Sequence, residues 1–436
     1  MIFNDILLAW RNLLRHTRRT VILSSALAAV TMLLVLLTSL TNGIERAMMD
    51  SATTLMTGHV NVGGFFKITS GSAVPLVSDY EKVLAAVQAE VPELDYVVAR
   101  GRGWTKVVSE AASMDLVLTG VEIGTEPKFA DVIVPLAGRL EDLAQKGTIL
   151  VFQNQAERLK VKVGDTLTLS APTSRGVNNT ADVRVAVIAR NIGVLSMFYS
   201  FIEQRTLWEL YGIAPSATGA IHLFLKDQDA APAVASRLRA KLGSEGKWRM
   251  MDADSDPYWK KLMFKVPAED WTGQKLDITI WKDELGDFEP IMRGVRVLTA
   301  ILIGILMVVV VIGIINTLVI AVRERTREIG TLRAIGMQRV KVLWLFVLEM
   351  GLLGILGTVG GAVLGAVFGL GLNALGIEVS DSMQMLLVQE KLTFVIHFPK
   401  VVDYVLQLTG VVILASLLPA LRAARLKPIT AMHHIG

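Results

Sequence analysis

Val297–Val322, VLTAILIGILMVVVVIGIINTLVIAV, runs from Arg296 to Arg323 without a charged residue. A helix of about 20 apolar residues crosses a hydrocarbon layer about 30 Å thick, because in lipid every backbone polar group must bond within its own segment. The stretch therefore predicts a membrane-spanning helix. Charge is likewise absent between Arg19 and Glu45, between Glu349 and Glu378, and between Asp403 and Arg422, the last being the shortest. The first of these is too long for the apolar core of a signal peptide and lacks a clear small-x-small cleavage site. The expected fold class is a polytopic α-helical membrane protein with four transmembrane helices and a large α+β extracytoplasmic domain between helices 1 and 2. The spans are expected at 20–44, 296–322, 342–374 and 402–421. Around them fall an N-terminal amphipathic helix at 1–19, the large domain at 45–292, a cytosolic coupling helix at 323–341, an external loop at 375–401 and a cytosolic tail at 422–436.

Orientation follows from the cations flanking each span, because cytoplasmic flanks collect Lys and Arg. Arg11, Arg15, Arg18 and Arg19 precede the first span, Arg323, Arg325, Arg327, Arg333, Arg339 and Lys341 lie between the second and third, and Arg422, Arg425 and Lys427 follow the fourth. Both termini are then cytosolic and the large domain is outside. Its mixed charges suit a folded domain.

Of the 436 residues, 52% are hydrophobic, and the mean hydropathy is +0.49. The net charge is only +4, which gives no support to a nucleic-acid partner. Cysteine is absent, which excludes disulfides and thiolate metal sites. Met114–Glu122, Thr148–Phe152, Thr166–Ser170 and Val183–Ala189 read as strands, Asp79–Ala89 and Ala231–Leu242 as helices, and Gly164–Asp165 as a turn. There is no Gly-x-Ser-x-Gly, no His-Glu-x-x-His and no Walker A loop, so no catalytic, cofactor or metal residue is expected. His59 and His222 are isolated and read as structural. The segment 241–287, with Trp248, Tyr258, Trp259, Trp271 and Trp281 among many charges, reads as a long loop pinned to the domain by its aromatic side chains, or as an exposed loop meeting a partner or the bilayer.

The loop Arg323–Lys341 places Ile329, Leu332, Ile335 and Gly336 on one helical face amid cations, which predicts a short amphipathic helix beside the membrane. The N-terminal stretch does the same with Phe3, Ile6, Leu7, Trp10 and Leu14. Asn316 in the second span and Glu349 near the inner end of the third are costly in lipid unless paired, and both sit near the cytosolic boundary. Asn316 reads as an interhelical hydrogen-bonding group, while Glu349 is open between anchoring and coupling. Gly361, Gly365 and Gly369 give the third span a small-residue face for close helix packing. Spans this apolar offer no solute pore.

Arg327–Gly336, Arg-Glu-Ile-Gly-Thr-Leu-Arg-Ala-Ile-Gly, resembles the signature of the FtsX-like permease family, which includes MacB-type and lipoprotein-releasing ABC transporter subunits. Ala9–Leu14, Gln155–Leu169 and Pro419–Met432 resemble other family segments, in order along nearly the whole chain. The resemblance implies a permease in the bacterial inner membrane, working as a homodimer or paralogous heterodimer with two copies of a separate ATPase. That partner would hold ATP and Mg, and this chain would be non-catalytic. It also implies that the ATPase docks on Arg327, Glu328, Ile329, Gly330, Leu332, Arg333, Ile335 and Gly336, with Leu332 and Ile335 filling a groove and Glu328 and Arg333 making charged contacts. Gly58–Val62 resembles the entry segment of the lipoprotein-releasing permeases, which implies extraction of a lipoprotein or lipid and contact with membrane lipid and a periplasmic carrier. A MacB-type transmitter acting through an adaptor and outer-membrane channel, or an FtsX-like regulator of an envelope enzyme, is the alternative. A membrane sensor would need a cytosolic signalling domain, and a passive scaffold would not need the coupling signature.

Overall fold

The computed structural model describes residues 2–69, 72–173, 176–193, 195–244, 246–324, 326, 331, 333–379 and 391–424. Among them, four helices are long and apolar enough to cross a membrane: Thr17–Ala52, Glu289–Glu324, Arg339–Leu375 and Phe398–Ala424. The first two have 36 residues each, or about 54 Å of helix at about 1.5 Å per residue. Each therefore exceeds the length a bilayer needs. The third ends where Gly376 takes a positive φ of 57° and donates its N–H to Asn373 O.

The chain divides into two compact units. One comprises Met1–Glu45, Met292–Glu378 and the chain from Lys391 onward, and the other is built on Arg46–Ile291. Within the first, Gly357, Gly361 and Gly365 of the third long helix face the first long helix. A Cβ at Gly357 would come 2.7 Å from Leu27 Cβ, and one at Gly361 would lie 2.7 Å from Thr31 Cβ and overlap the Ala28 carbonyl. One at Gly365 would stand 3.0 Å from Val35 Cβ. Lipid gives helices no hydrophobic reason to associate, so approach this close supplies the van der Waals contact that does. Thr358 and Thr409 join the third and fourth helices through their hydroxyls at 3.1 Å. Thr41 and Thr299 join the first and second at 3.0 Å, beside the Glu45–Arg296 pair at 3.2 Å.

Among its described residues the large domain contains thirteen strands: β1 Val60–Thr69, β2 Ser72–Val74, β3 Leu94–Arg100, β4 Arg102–Val108, β5 Ser113–Val121, β6 Pro135–Gly138, β7 Thr148–Phe152, β8 Thr166–Pro172, β9 Asn178–Ala189, β10 Tyr199–Glu203, β11 Ala220–Leu225, β12 Arg249–Met250 and β13 Gly273–Ile280. They form two sheets. The first runs β12-β13-β1-β11-β3 with β2 paired to β1, and the second runs β6-β9-β7-β10-β5-β4-β8 with β8 also paired to β9. Helices Tyr80–Glu90 and Ala231–Ser244 bury Val83, Val87, Val234 and Leu238 against Val60, Val62, Ile221 and Leu223 of the first sheet. The second sheet is covered by Gln153–Leu159 and Gln204–Tyr211, with Leu159, Leu207 and Leu210 buried beside Leu116, Leu118 and Ile149. Gly164 takes a positive φ of 99° in the expected turn before β8.

Candidate functional site

Three places carry the residues that the sequence singles out. The first is the loop between the second and third long helices. Arg327, Glu328, Ile329, Gly330 and Leu332 lie outside the described residues. Arg333 donates from Nη1 to Ala424 O at 2.8 Å, so it reaches the end of the fourth long helix. Ile335 is 79% exposed, an apolar side chain held out in a cation-rich loop. Gly336 closes the turn with a positive φ of 104° and its N–H on Arg333 O. Below it Val342, Phe346, Ala420 and Ala424 form a small buried cluster joined by Met337. The turn therefore holds an exposed isoleucine and is tied by Arg333 to the end of the fourth long helix.

The N-terminal helix Ile2–Arg15 buries Ala9 and Leu13 and exposes Ile6, Leu7, Leu8, Trp10 and Leu14, an arrangement suited to the interfacial layer of a bilayer. Its Asp5 stands 4.0 Å from Lys341 at the start of the third long helix.

The second place is the apolar interior of the helical unit. Glu349 is 3% exposed on the third helix, whereas Asn316 points outward from the second. Only 11% of the second helix's apolar stretch is buried within the chain, against 50% for the third. An outward amide on a spanning helix is costly against lipid and is satisfied by a neighbouring polar group. Gly361 and Gly365 meet the first helix, while Gly369 lies 3.5 Å in Cβ terms from Leu36 and Phe394. Residues 380–390, part of the loop expected to be external, and the tail from 425 lie outside the described residues.

The third place is the 241–287 segment, where the expectation of a long loop is corrected. Gly273–Ile280 is β13, paired along its whole length with β1 from Val60↔Ile280 to Lys67↔Gly273. Both of its faces are buried, Leu276 and Ile278 on one and Asp277 and Thr279 on the other. Asp277 is tolerated there because Lys261, fully buried, donates to its Oδ2 at 2.7 Å and also stands 3.0 Å from Asp254. Burial pushes the Asp277 carboxyl up from its ordinary range, and Lys261 pulls it part of the way back. Lys67, 1% exposed on β1, donates to Glu269 O at 2.6 Å and packs over Trp271, while Phe65, Met251, Val266 and Trp271 close an apolar cluster. Trp259 Nε1 donates to Asp287 Oδ2 at 2.6 Å. Aromatic and ionic anchors thus fix the segment, with Met263 and Phe264 left exposed at 65% and 68%.

His222 and His59 have backbone partners. His222 Nδ1 is 2.9 Å from Thr57 O, and burial with Arg100 and Arg102 nearby holds its imidazole well below the usual range and neutral. The His59 Nδ1 accepts from Leu225 N–H at 2.9 Å. No group of three or more metal-ligating side chains occurs among the described residues.

Family comparison agrees with this architecture. A family model described as the FtsX-like permease C-terminal matches residues 300–428, and one described as the MacB-like periplasmic core domain matches residues 20–241, half of the chain by itself. The macrolide export ATP-binding/permease protein MacB of Nitrobacter winogradskyi is 38% identical over 144 residues, covering 32% of this chain and 20% of that protein. The lipoprotein-releasing system transmembrane protein LolC of Neisseria meningitidis serogroup B is 24% identical over 313 residues, 68% of each chain. The periplasmic region of MacB from Actinobacillus actinomycetemcomitans overlaps 44% of this chain and 89% of that structure at 13% identity, with a TM-score of 0.29. The chain spans 20% and 40% of the length of the first two curated relatives. Family members work with ABC ATPase partners and are in general the non-catalytic components of the transporter. The chain belongs to the FtsX-like, MacB-type family of ABC transporter permeases.

Proposed function

We propose that this chain sits in a bacterial inner membrane with both termini cytosolic, and carries the work of a separate ATPase across the membrane to its large domain for the extraction or release of a lipoprotein or lipid. What carries the reading is that one chain bears the permease match over 300–428, which takes in the coupling loop, and the periplasmic-core match over 20–241. The cation bias of the loops supports the orientation. The spans are nearly all apolar, so motion rather than a solute passes between them. Two ATPase copies dock on Arg327–Gly336, Ile335 entering a groove from the exposed side of its turn, and ATP with Mg is held by that partner. A second permease, identical or paralogous, covers the outward face of the second long helix and gives Asn316 a hydrogen-bonding neighbour.

The lipoprotein reading is supported by the LolC of Neisseria meningitidis aligning over 68% of both chains. Transmission to an adaptor and exit channel is the second reading, supported by the higher local identity of the Nitrobacter winogradskyi MacB. Cross-linking of the large domain in native membranes, followed by mass spectrometry, separates them. Lipoproteins or a periplasmic carrier are the expected captures, and an adaptor, an outer-membrane channel or a cell-wall enzyme would overturn lipoprotein release.

A further inference from the structure

All seven strands of the second sheet lie between Arg102 and Glu203, so that sheet is an insertion between β3 and β11 of the first. The chain leaves the first sheet at Gly101 and returns at Gly219. These crossings touch: a Cβ on Gly219 would lie 2.7 Å from Arg100 O and 3.0 Å from Gly101 Cα, too close for any side chain. Both long helices that bound the domain join the first sheet. The helix Thr17–Ala52 passes through a single π-helical turn, Thr53–Thr57, into β1, and β13 passes through Trp281–Glu284 toward Glu289–Glu324.

At the outgoing crossing, two arginines reach toward these two roots. Arg100, the last residue of β3, pairs with Glu126 of the insertion, both side chains 2% exposed. Its Nη1 also donates to Thr54 O at 2.9 Å and Leu55 O at 2.7 Å, carbonyls of the π-helical turn. Arg102, the first residue of β4, stands 3.7 Å from Glu284 Oε2 and stacks 3.3 Å from the centroid of the Tyr258 ring. Glu284 in turn accepts from Thr279 Oγ1 at 2.8 Å and from Tyr258 N–H at 3.3 Å. One guanidinium therefore ties the first root to the insertion, and the other ties the insertion to the second root.

Buried ion pairs are a poor way to stabilise a fold, since matched apolar replacements often do as well. What a guanidinium adds is a rigid fork whose bonds fix direction as well as distance. A contact that must carry displacement needs that stiffness.

We propose that Arg100 and Arg102 are positioning residues of the transport cycle, transferring displacement of the two helix roots to the inserted sheet across the Gly101–Gly219 crossing. The inference rests on the reading of the chain as a mechanical permease. The chain has no cysteine, so an Asp115→Cys, Lys226→Cys pair, both positions exposed, places one spin label on the second sheet and one directly after β11 of the first. The full chain is purified from its own membranes together with its ATPase, and the inter-label distance is measured without nucleotide and with ATP plus vanadate. The unsubstituted arginines should give a nucleotide-dependent shift. In Arg100→Met with Glu126→Leu, where both charges leave together and the Thr54 and Leu55 carbonyls lose a donor, the shift should vanish in a protein that melts earlier but is still folded. Arg102→Met with Glu284→Gln tests the second root in the same way and serves if the first variant does not fold. A folded variant that keeps the full shift overturns the proposal. A background protein whose distance ignores nucleotide overturns the transport reading itself, and this inference with it.

Discussion

In the helical unit glycines let one helix lie against the backbone of another, whereas in the large domain charged pairs are buried among apolar cores. Gly357, Gly361 and Gly365 bring the third long helix against the backbone of the first. Lys261 with Asp277 and Arg100 with Glu126 are buried inside the domain, and Arg102, its side chain 9% exposed, stands against the buried Glu284. Each solution fits its solvent. Lipid tails are as apolar as leucine, so only close packing distinguishes a helix neighbour from lipid. In water the hydrophobic effect already closes the domain's cores, and polar groups can be spent on fixing geometry. The comparison teaches where stiffness is concentrated: along the face between two helices in one unit, and at the helix roots and the 251–277 segment in the other.

The largest expected effect lies in the charged region. Lys261→Met leaves Asp277 in the interior with Arg239, 3.7 Å away, as its remaining counter-charge, and removal of one partner from a buried pair costs about 3–5 kcal/mol. Chemical denaturation of the full chain in nanodiscs should show that loss. The loss should also depend on pH. Burial holds the folded Asp277 pKa above its unfolded value, so its contribution is fully present below the ordinary carboxylate range and fades as pH rises through the raised value. Without Lys261 the raised value climbs further and the window widens upward. Melting curves of variant and wild type should therefore converge on acidification, and curves that stay parallel from neutral to acid pH would contradict the assignment.

The next effect breaks the other side of the comparison. Gly361→Leu forces the side chain into Ala28 and Thr31, and overpacking of this kind costs about 1–3 kcal/mol. Gly360→Leu, one residue along the same helix with nothing within 4 Å, should melt with the wild type. Equal melting temperatures for the two variants would show that the glycine face does not pack the bundle. The smallest effect sharpens the distinction between buried and exposed charge. Lys146 and Glu209 lie 2.6 Å apart but are 62% and 61% exposed, so Lys146→Ala should cost no more than about 0.5 kcal/mol.

The spanning helices and the glycine register were legible in the sequence because each is a one-dimensional pattern: absence of charge over a bilayer's thickness, and small residues at every fourth position. Helices Tyr80–Glu90 and Ala231–Ser244 and strand β7 were legible for the same reason, apolar periodicity. Strand β13 was not: the alternation of Leu276, Ile278 and Ile280 with Asp277 and Thr279 is short and set among charges, and nothing in it shows that the polar face is buried too, its Asp277 met by Lys261 sixteen residues away in sequence. Arg100 and Arg102 were missed on similar grounds. Flanking a glycine, they look like surface cations, and only the three-dimensional crossing of two sheets brings Glu126 and Glu284 to them. The 323–341 loop was legible as a family motif, and of its residues Arg333, Ile335 and Gly336 can be placed: one on the fourth helix's end, one exposed, one closing the turn.

The central claim is that an ATPase engages this chain through the 323–341 loop and drives it. Its most direct measurement is the ATP hydrolysis that co-purifies with the affinity-tagged full chain, compared with Leu332→Asp combined with Arg333→Glu. The account predicts that the wild type brings down an ATPase and that the double variant, still folded and membrane-inserted, loses both the subunit and the hydrolysis. An ATPase retained by the double variant at wild-type level, with undiminished hydrolysis, would contradict it.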